Sequence, residues 1–207
     1  MQLSRLRLPG GPVPYRWTQA ERGALIWSSY LQFTRGDDRM KINGLHHFAW
    51  RCRSAEETRH FYEDILGLPL AHVIRAENVP STGEHCPYLH IFFEKADSSY
   101  IAFFDLGDGA RAAPSVNTPA WVNHIALEVD SDSDLEAMKA RLEGHGVEVI
   151  GVTDHGFVRS IYFFDPNGFR LELTVRHLDA ATLRSGAEAS RRALNAWTAR
   201  HSAPASR

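Results

Sequence analysis

From Ile42 onward, apolar and polar side chains alternate in short runs, and the same order of runs appears twice. The stretches Leu45-His46-His47-Phe48-Ala49-Trp50-Arg51-Cys52 and Val122-Asn123-His124-Ile125-Ala126-Leu127-Glu128-Val129 each place a His two residues before an Ala. A period of two marks a strand with one buried face, so strands are predicted at 42–52 and 121–129. A helical pattern follows each. Ser54-Ala55-Glu56-Glu57 caps the first helix, with Phe61, Tyr62, Ile65 and Leu66 on one face and Gly67 as the stop. The second, over 131–143, aligns Leu135, Met138 and Leu142 and ends at His145-Gly146. Three more alternating runs follow each helix, at 68–76, 88–94 and 100–106, then at 147–152, 157–164 and 169–175. The 78–87 stretch reads as a loop, and Asp165-Pro166-Asn167-Gly168 as a turn.

These runs predict an α+β fold of two tandem β-α-β-β-β modules, 42–107 and 120–176, forming a curled sheet. A linker rich in Pro and small residues joins them at 107–119. Ahead of the modules, residues 1–41 hold Pro9-Gly10-Gly11-Pro12-Val13-Pro14, then a helix pattern with Leu25, Ile26, Tyr30, Leu31 and Phe33. This segment reads as an appended arm. Residues 177–207 predict an amphipathic helix over 179–199 and a Ser/Ala/Pro tail. The apolar faces of both terminal helices lie outside the duplicated core, which favours a homodimer.

Composition adds mainly exclusions. The chain is 43% hydrophobic and 23% charged with a formal net charge of −2. That balance gives no reason to expect a nucleic-acid or membrane-surface partner. No apolar run reaches the roughly 18 residues that span a bilayer, and the N-terminus lacks the apolar core of a secretory signal. Two cysteines, Cys52 and Cys86, occur without a CxxC pair. They read as two thiols in a reducing, cytoplasmic setting, and any metal site must use His and carboxylates.

Strand parity then selects the candidate chemistry. Phe48, Trp50 and Cys52 share the face that wants the helix, leaving His47, Ala49 and Arg51 on the other. In the second module His124 and Ala126, and on the last strand Glu172, likewise fall on the non-helix face. If both faces line one cavity, two imidazoles and a carboxylate converge on a metal cleft that suits Fe(II), Mn(II) or Zn(II). The alternative is a solvated polar face on each strand. Arg51 is placed to hold an anionic substrate group or to pair with Glu128. Phe92 and Phe104 suit an apolar or aromatic ligand, although aromatics also fill small cores.

At Gly44-Leu45-His46-His47, Phe61-Tyr62-Glu63-Asp64-Ile65-Leu66-Gly67-Leu68, Asn123-His124-Ile125-Ala126-Leu127 and 162–173 the chain resembles the vicinal oxygen chelate superfamily. That superfamily holds glyoxalase I, extradiol dioxygenases, methylmalonyl-CoA epimerase and fosfomycin-resistance enzymes. The resemblance implies His47, His124 and Glu172 as metal ligands. Glyoxalase-like members use a fourth ligand at the position of Ala102, so three ligands and an open metal face are expected here. This tilts the expectation toward an extradiol-type, non-haem Fe(II) dioxygenase acting on a catechol-like or vicinal-diol small molecule, with Mn(II), Zn(II) or Ni(II) also admissible. Tyr162 lies ten residues before Glu172, as the active-site Tyr of extradiol enzymes does. Those enzymes carry a catalytic His where this chain has Ser98-Ser99-Tyr100, so His90 and His155 stand as acid–base candidates. A glyoxalase-like lyase, isomerase or thiol transferase is the alternative, and a metal-free binding protein of the bleomycin-resistance kind the third reading.

Overall fold

The computed structural model describes residues 42–179, 182 and 186–202. The chain divides into two units, Met1–Gly44 and Leu45–Arg207, and the strands among the described residues lie in the second. The expected N-terminal helix and the end of the C-terminal tail lie outside the described residues. Among the described residues no helix is long and apolar enough to cross a membrane.

The first module runs β1 (His47–Cys52), α1 (Ala55–Arg59), β2 (Leu70–Asn78), β3 (His85–Glu94) and β4 (Tyr100–Asp105). The second runs β5 (His124–Glu128), α2 (Asp132–Gly144), β6 (Ile150–Asp154), β7 (Val158–Phe164) and β8 (Arg170–Arg176), followed by α3 (Ala187–Ser202). Two four-stranded sheets result, ordered β1-β4-β3-β2 and β5-β8-β7-β6. In each, the opening strand pairs parallel with the closing one and the other pairings are antiparallel. The registers coincide: Ala49 opposes Ala102 as Ala126 opposes Glu172, and Phe92 opposes Ala102 as Tyr162 opposes Glu172.

Several boundaries shift from the expected ones. Strand β1 begins at His47 rather than 42, and β5 at His124 rather than 121. Strand β3 starts at His85, because the Pro/Gly segment before it folds into a tight turn in which Gly83 N donates to Val79 O (2.8 Å). The first helix starts as predicted, with Ser54 Oγ accepting from Glu57 N (3.3 Å). It then widens into a π-helical stretch, His60–Ile65, in which Leu66 N reaches back five residues to Phe61 O (2.9 Å). The widening buries Phe61, Tyr62 and Ile65 together. The C-terminal helix begins at Ala187 rather than 179.

The two sheets share one core through their apolar faces. Phe48 and Trp50 stack on Phe169 from the other module (ring centroids 5.1 and 4.9 Å apart), and Phe61 meets Phe163. Full burial of a ring such as Phe93 or Phe163 contributes about 2–3 kcal/mol. The turn before β8 is internal. Buried Asp165 accepts from Phe169 N (2.7 Å), Asn167 N (2.9 Å) and the hydroxyl of fully buried Tyr62 (3.1 Å). Asn167 Nδ2 donates to Thr58 Oγ1 (3.1 Å), and Arg53 N donates to Asn167 Oδ1 (3.0 Å). Cys52 and Cys86 are free thiols, and burial pushes the Cys52 thiol up to about 11. With the apolar faces joined, the histidine-bearing faces of both sheets lie opposite the common core.

Candidate metal centre

The second sheet concentrates the chemistry. His124 on β5 and Glu172 on β8 come together, Nε2 and Oε2 lying 3.0 Å apart. His124 Nδ1 lies 3.0 Å from the carbonyl of Val122, which can only accept, so Nδ1 carries a proton, and in the neutral tautomer this leaves the Nε2 lone pair facing Glu172. In that tautomer two acceptors face each other, an arrangement that a bound cation or a second imidazole proton resolves. Ligands in adjacent positions on a first-row metal, each about 2.1 Å from it, stand about 3 Å apart, so this donor pair fits such an ion. The carbonyl behind the imidazole is the outer partner that metal-bound histidines ordinarily have.

Glu172 is only 7% exposed, and its other oxygen is fixed from behind. Ser160 Oγ on β7 donates to Oε1 (2.5 Å), and the Tyr162 hydroxyl does so at 3.2 Å. The phenolic oxygen also lies 2.8 Å from His155 Nε2, which as a donor completes a line from His155 through Tyr162 to Glu172. Burial first, and the Glu172 charge second, push the Tyr162 pKa up, so the phenol keeps its proton. The Arg170 guanidinium lies 4.4 Å from the Tyr162 ring centroid. Four of the residues singled out in the sequence therefore meet: His124, Glu172, Tyr162 and His155. Ser160 went unassigned although parity carried the signal, since it lies two residues before Tyr162 and so on the same face.

The remaining candidates gather on the first sheet. His47 sits 6.1 Å from the His90 ring and 5.8 Å from Phe92, centroid to centroid, with its Nδ1 2.8 Å from that of His46. His90 is stacked on Phe104 (3.7 Å) and lies 4.1 Å from Phe92. It is 8% exposed, and its Nε2 has no hydrogen-bond partner. Burial first, then the positive charges His47 and His72 can carry, push its pKa down to about 4. Arg51 is tied to Asp108 and donates to the Ala110 carbonyl (3.1 Å), while Glu128 pairs with Arg176 (2.7 Å). The alternative pairing of Arg51 with Glu128 is thus not formed, because the inter-module linker supplies a nearer carboxylate. Among the described residues no three His, Cys, Asp or Glu side chains gather closely enough to hold a metal ion. One chain brings His124 to Glu172 and does not bring His47 to them.

Comparison with known proteins agrees with this architecture. The family model for the glyoxalase/bleomycin resistance protein/dioxygenase superfamily matches residues 44–173. A curated relative from Bacillus subtilis (strain 168), named "Putative ring-cleaving dioxygenase MhqA", is 28% identical over 138 residues, covering 65% of this chain. The chain spans 41% of that relative's length. Among solved structures, a glyoxylase/bleomycin resistance protein/dioxygenase domain from Frankia sp. EAN1pec superposes with a TM-score of 0.55 at 17% identity, over 66% of this chain and 100% of that one. A glyoxalase/dioxygenase from Nostoc punctiforme gives a TM-score of 0.51 at 20% identity, over 70% and 99%.

Proposed function

Because the chain belongs to the glyoxalase/bleomycin resistance protein/dioxygenase superfamily, we propose that it is a metal-dependent dioxygenase of the vicinal-oxygen-chelate type, acting on a catechol-like or vicinal-diol small molecule. The observation that carries this reading is the His124–Glu172 pair, with its donor atoms 3.0 Å apart and a fixed partner behind each side chain. A divalent ion held there, Fe(II) before Mn(II), Zn(II) or Ni(II), would supply Lewis acidity and open positions for substrate. The third protein ligand is His47 of a second copy, since one chain keeps His47 on its other sheet. In the first sheet Ala102 stands at the position of Glu172, and Asp105 is turned to the helix, accepting from Ala55 N (2.7 Å). The name of the Bacillus subtilis relative supports the ring-cleaving form of this reading.

The chain's own groups then divide the work. Ser160 holds Oε1 so that Oε2 faces His124. Tyr162, protonated at neutral pH, donates a hydrogen bond to Glu172 or to a substrate oxygen beside it. His155 is exposed and touches the phenol, so it exchanges protons between Tyr162 and water. Of the two acid–base candidates, His155 takes this role. Arg51, already engaged by Asp108, would orient an anionic substrate group only after releasing that partner.

Protein purified without oxygen should carry about one iron per two-histidine, one-carboxylate site, and should consume oxygen with some member of a catechol panel. Mixing His47→Ala with Glu172→Ala, each inactive alone, should restore roughly a quarter of wild-type activity through exchanged dimers. Iron binding with a silent panel would remove the ring-cleaving assignment. Retained zinc, nickel or manganese would move it to a lyase, isomerase or transferase. A metal-free binding role is the second reading, favoured by the absence of a three-donor cluster in one chain's described residues. Ligand binding indifferent to His124→Ala and to chelators would establish it.

A further inference from the structure

We propose that the cleft beneath the inter-module linker binds a planar aromatic carboxylate, taken up by the guanidiniums of Arg111 and Arg170. A cavity of about 450 Å³ lies there, bounded by the linker, by Trp50 of β1, and by Phe169 and the turn between β7 and β8. Its lining carries two arginines and no acidic side chain. Two other clefts differ in this: Glu57 and Glu148 line one, Glu128 and Asp130 the other. In a chain with a formal net charge of −2, the cleft under the linker is a local positive site.

Neither positive charge is neutralised within the described chain. Arg51, Arg53, Arg59, Arg159 and Arg176 each pair with a carboxylate. Arg111 is exposed and, among the described residues, has neither an ion pair nor a side-chain hydrogen bond. Arg170 donates to the carbonyl of Trp121 and lies over the Tyr162 ring, both uncharged partners, and keeps further N–H donors to offer. Guanidiniums match the planar, two-oxygen shape of a carboxylate. The rest of the lining asks for a ring. Trp50 and Phe169 stack on each other (4.9 Å), and Phe164 beside them leaves 43% of its surface exposed. A flat apolar body covers these rings while its acid group meets the arginines, and a cavity of this size takes one such molecule. The cleft is separate from the metal pair. His47, His124, Glu172 and Tyr162 do not line it, and Trp50 lies on the face of β1 opposite His47. Arg170 reaches both places through Tyr162, so Arg111 and the aromatic wall carry the test.

Naphthoate is the probe. Calorimetric titration of the full chain, stripped of metal with EDTA, should show saturable naphthoate binding. Naphthol, which lacks the charge, and inorganic phosphate, which lacks the ring, should bind far more weakly. Arg111→Ala, on an exposed linker position, should weaken naphthoate about tenfold. Arg111→Lys should recover only part of that loss, because an ammonium does not present two parallel donors. Trp50→Leu should weaken binding about fivefold; if it does not fold, Phe164→Ser tests the same wall. Raised ionic strength should weaken the wild type more than Arg111→Ala. His124→Ala, which disables the proposed metal pair, should bind naphthoate as the wild type does, and this keeps the two readings apart. The proposal is overturned by no saturable binding to wild-type protein, by Arg111→Ala binding within about threefold of it, or by naphthol or phosphate binding as tightly as naphthoate.

Discussion

In one sheet Ala49 faces Ala102, and in the other Ala126 faces Glu172; the ladders around these pairs otherwise superpose residue for residue. Around Glu172 the neighbours are polar and mutually bonded: Ser160, Tyr162 and His124 all reach the carboxylate. Around Ala102 they are aromatic and stacked, with His90 unpartnered at Nε2 among them. Register is set by the apolar face, which both modules keep because both bury it in the same core. The opposite face is free of that demand. One position on it separates neighbours bonded around a carboxylate from neighbours stacked as an aromatic cluster.

The contrast is broken most directly by Glu172→Ala, which turns the second sheet into a copy of the first. Removing a partner behind a metal ligand already costs about 10–100-fold in affinity, and removing the ligand itself should cost more than about 100-fold, read as metal content after dialysis and as loss of oxygen uptake. A smaller effect is expected where the second sheet differs in backbone. Gly151 on β6 has φ +112°, and a Cβ there would lie 2.7 Å from the carbonyl oxygen of Ser160, the residue that fixes Glu172. Gly151→Ala should therefore destabilise by about 3 kcal/mol in denaturant titration and loosen metal binding at the same time. The smallest effect belongs to the first sheet. The folded protein holds His90 neutral down to about pH 4, whereas the unfolded imidazole takes its proton near pH 6.5. The stabilisation is complete above about pH 6.5 and is lost as pH falls from there to about 4, by at most about 2 kcal/mol once solvent screening is allowed for. Metal-free His90→Phe should lack this part of the acid profile in urea titrations at pH 4.5 and 7.5.

Much of this was legible in the alternation of residues. Period-two parity puts His47, His124 and Glu172 on non-helix faces, and the duplicated order aligns Ala102 with Glu172, a correspondence the ladder registers repeat. Parity assigns a face but says nothing about which faces of two sheets meet, since that depends on how Phe48, Trp50, Phe61 and Phe169 interlock. That is why the separation of His47 from its expected partners could not be read from the chain. His155 lies beyond the end of β6, where no periodicity constrains a side chain, and its contact with Tyr162 is a matter of loop path. Arg51 shows the same limit: its partner Asp108 comes from the linker. The widening of the first helix depends on packing three adjacent large side chains, a tertiary demand that local propensity does not encode.

The buried turn at Asp165 has a consequence for covalent continuity. Its carboxylate, with a pKa pushed up by burial, is gripped by Tyr62 from the other module, and Asn167 reaches Thr58 and the backbone of Arg53. The peptide connection through 107–119 is therefore not what keeps the halves together. A chain cleaved there should migrate as one particle until denatured, and two separately expressed fragments should find each other and restore the fold.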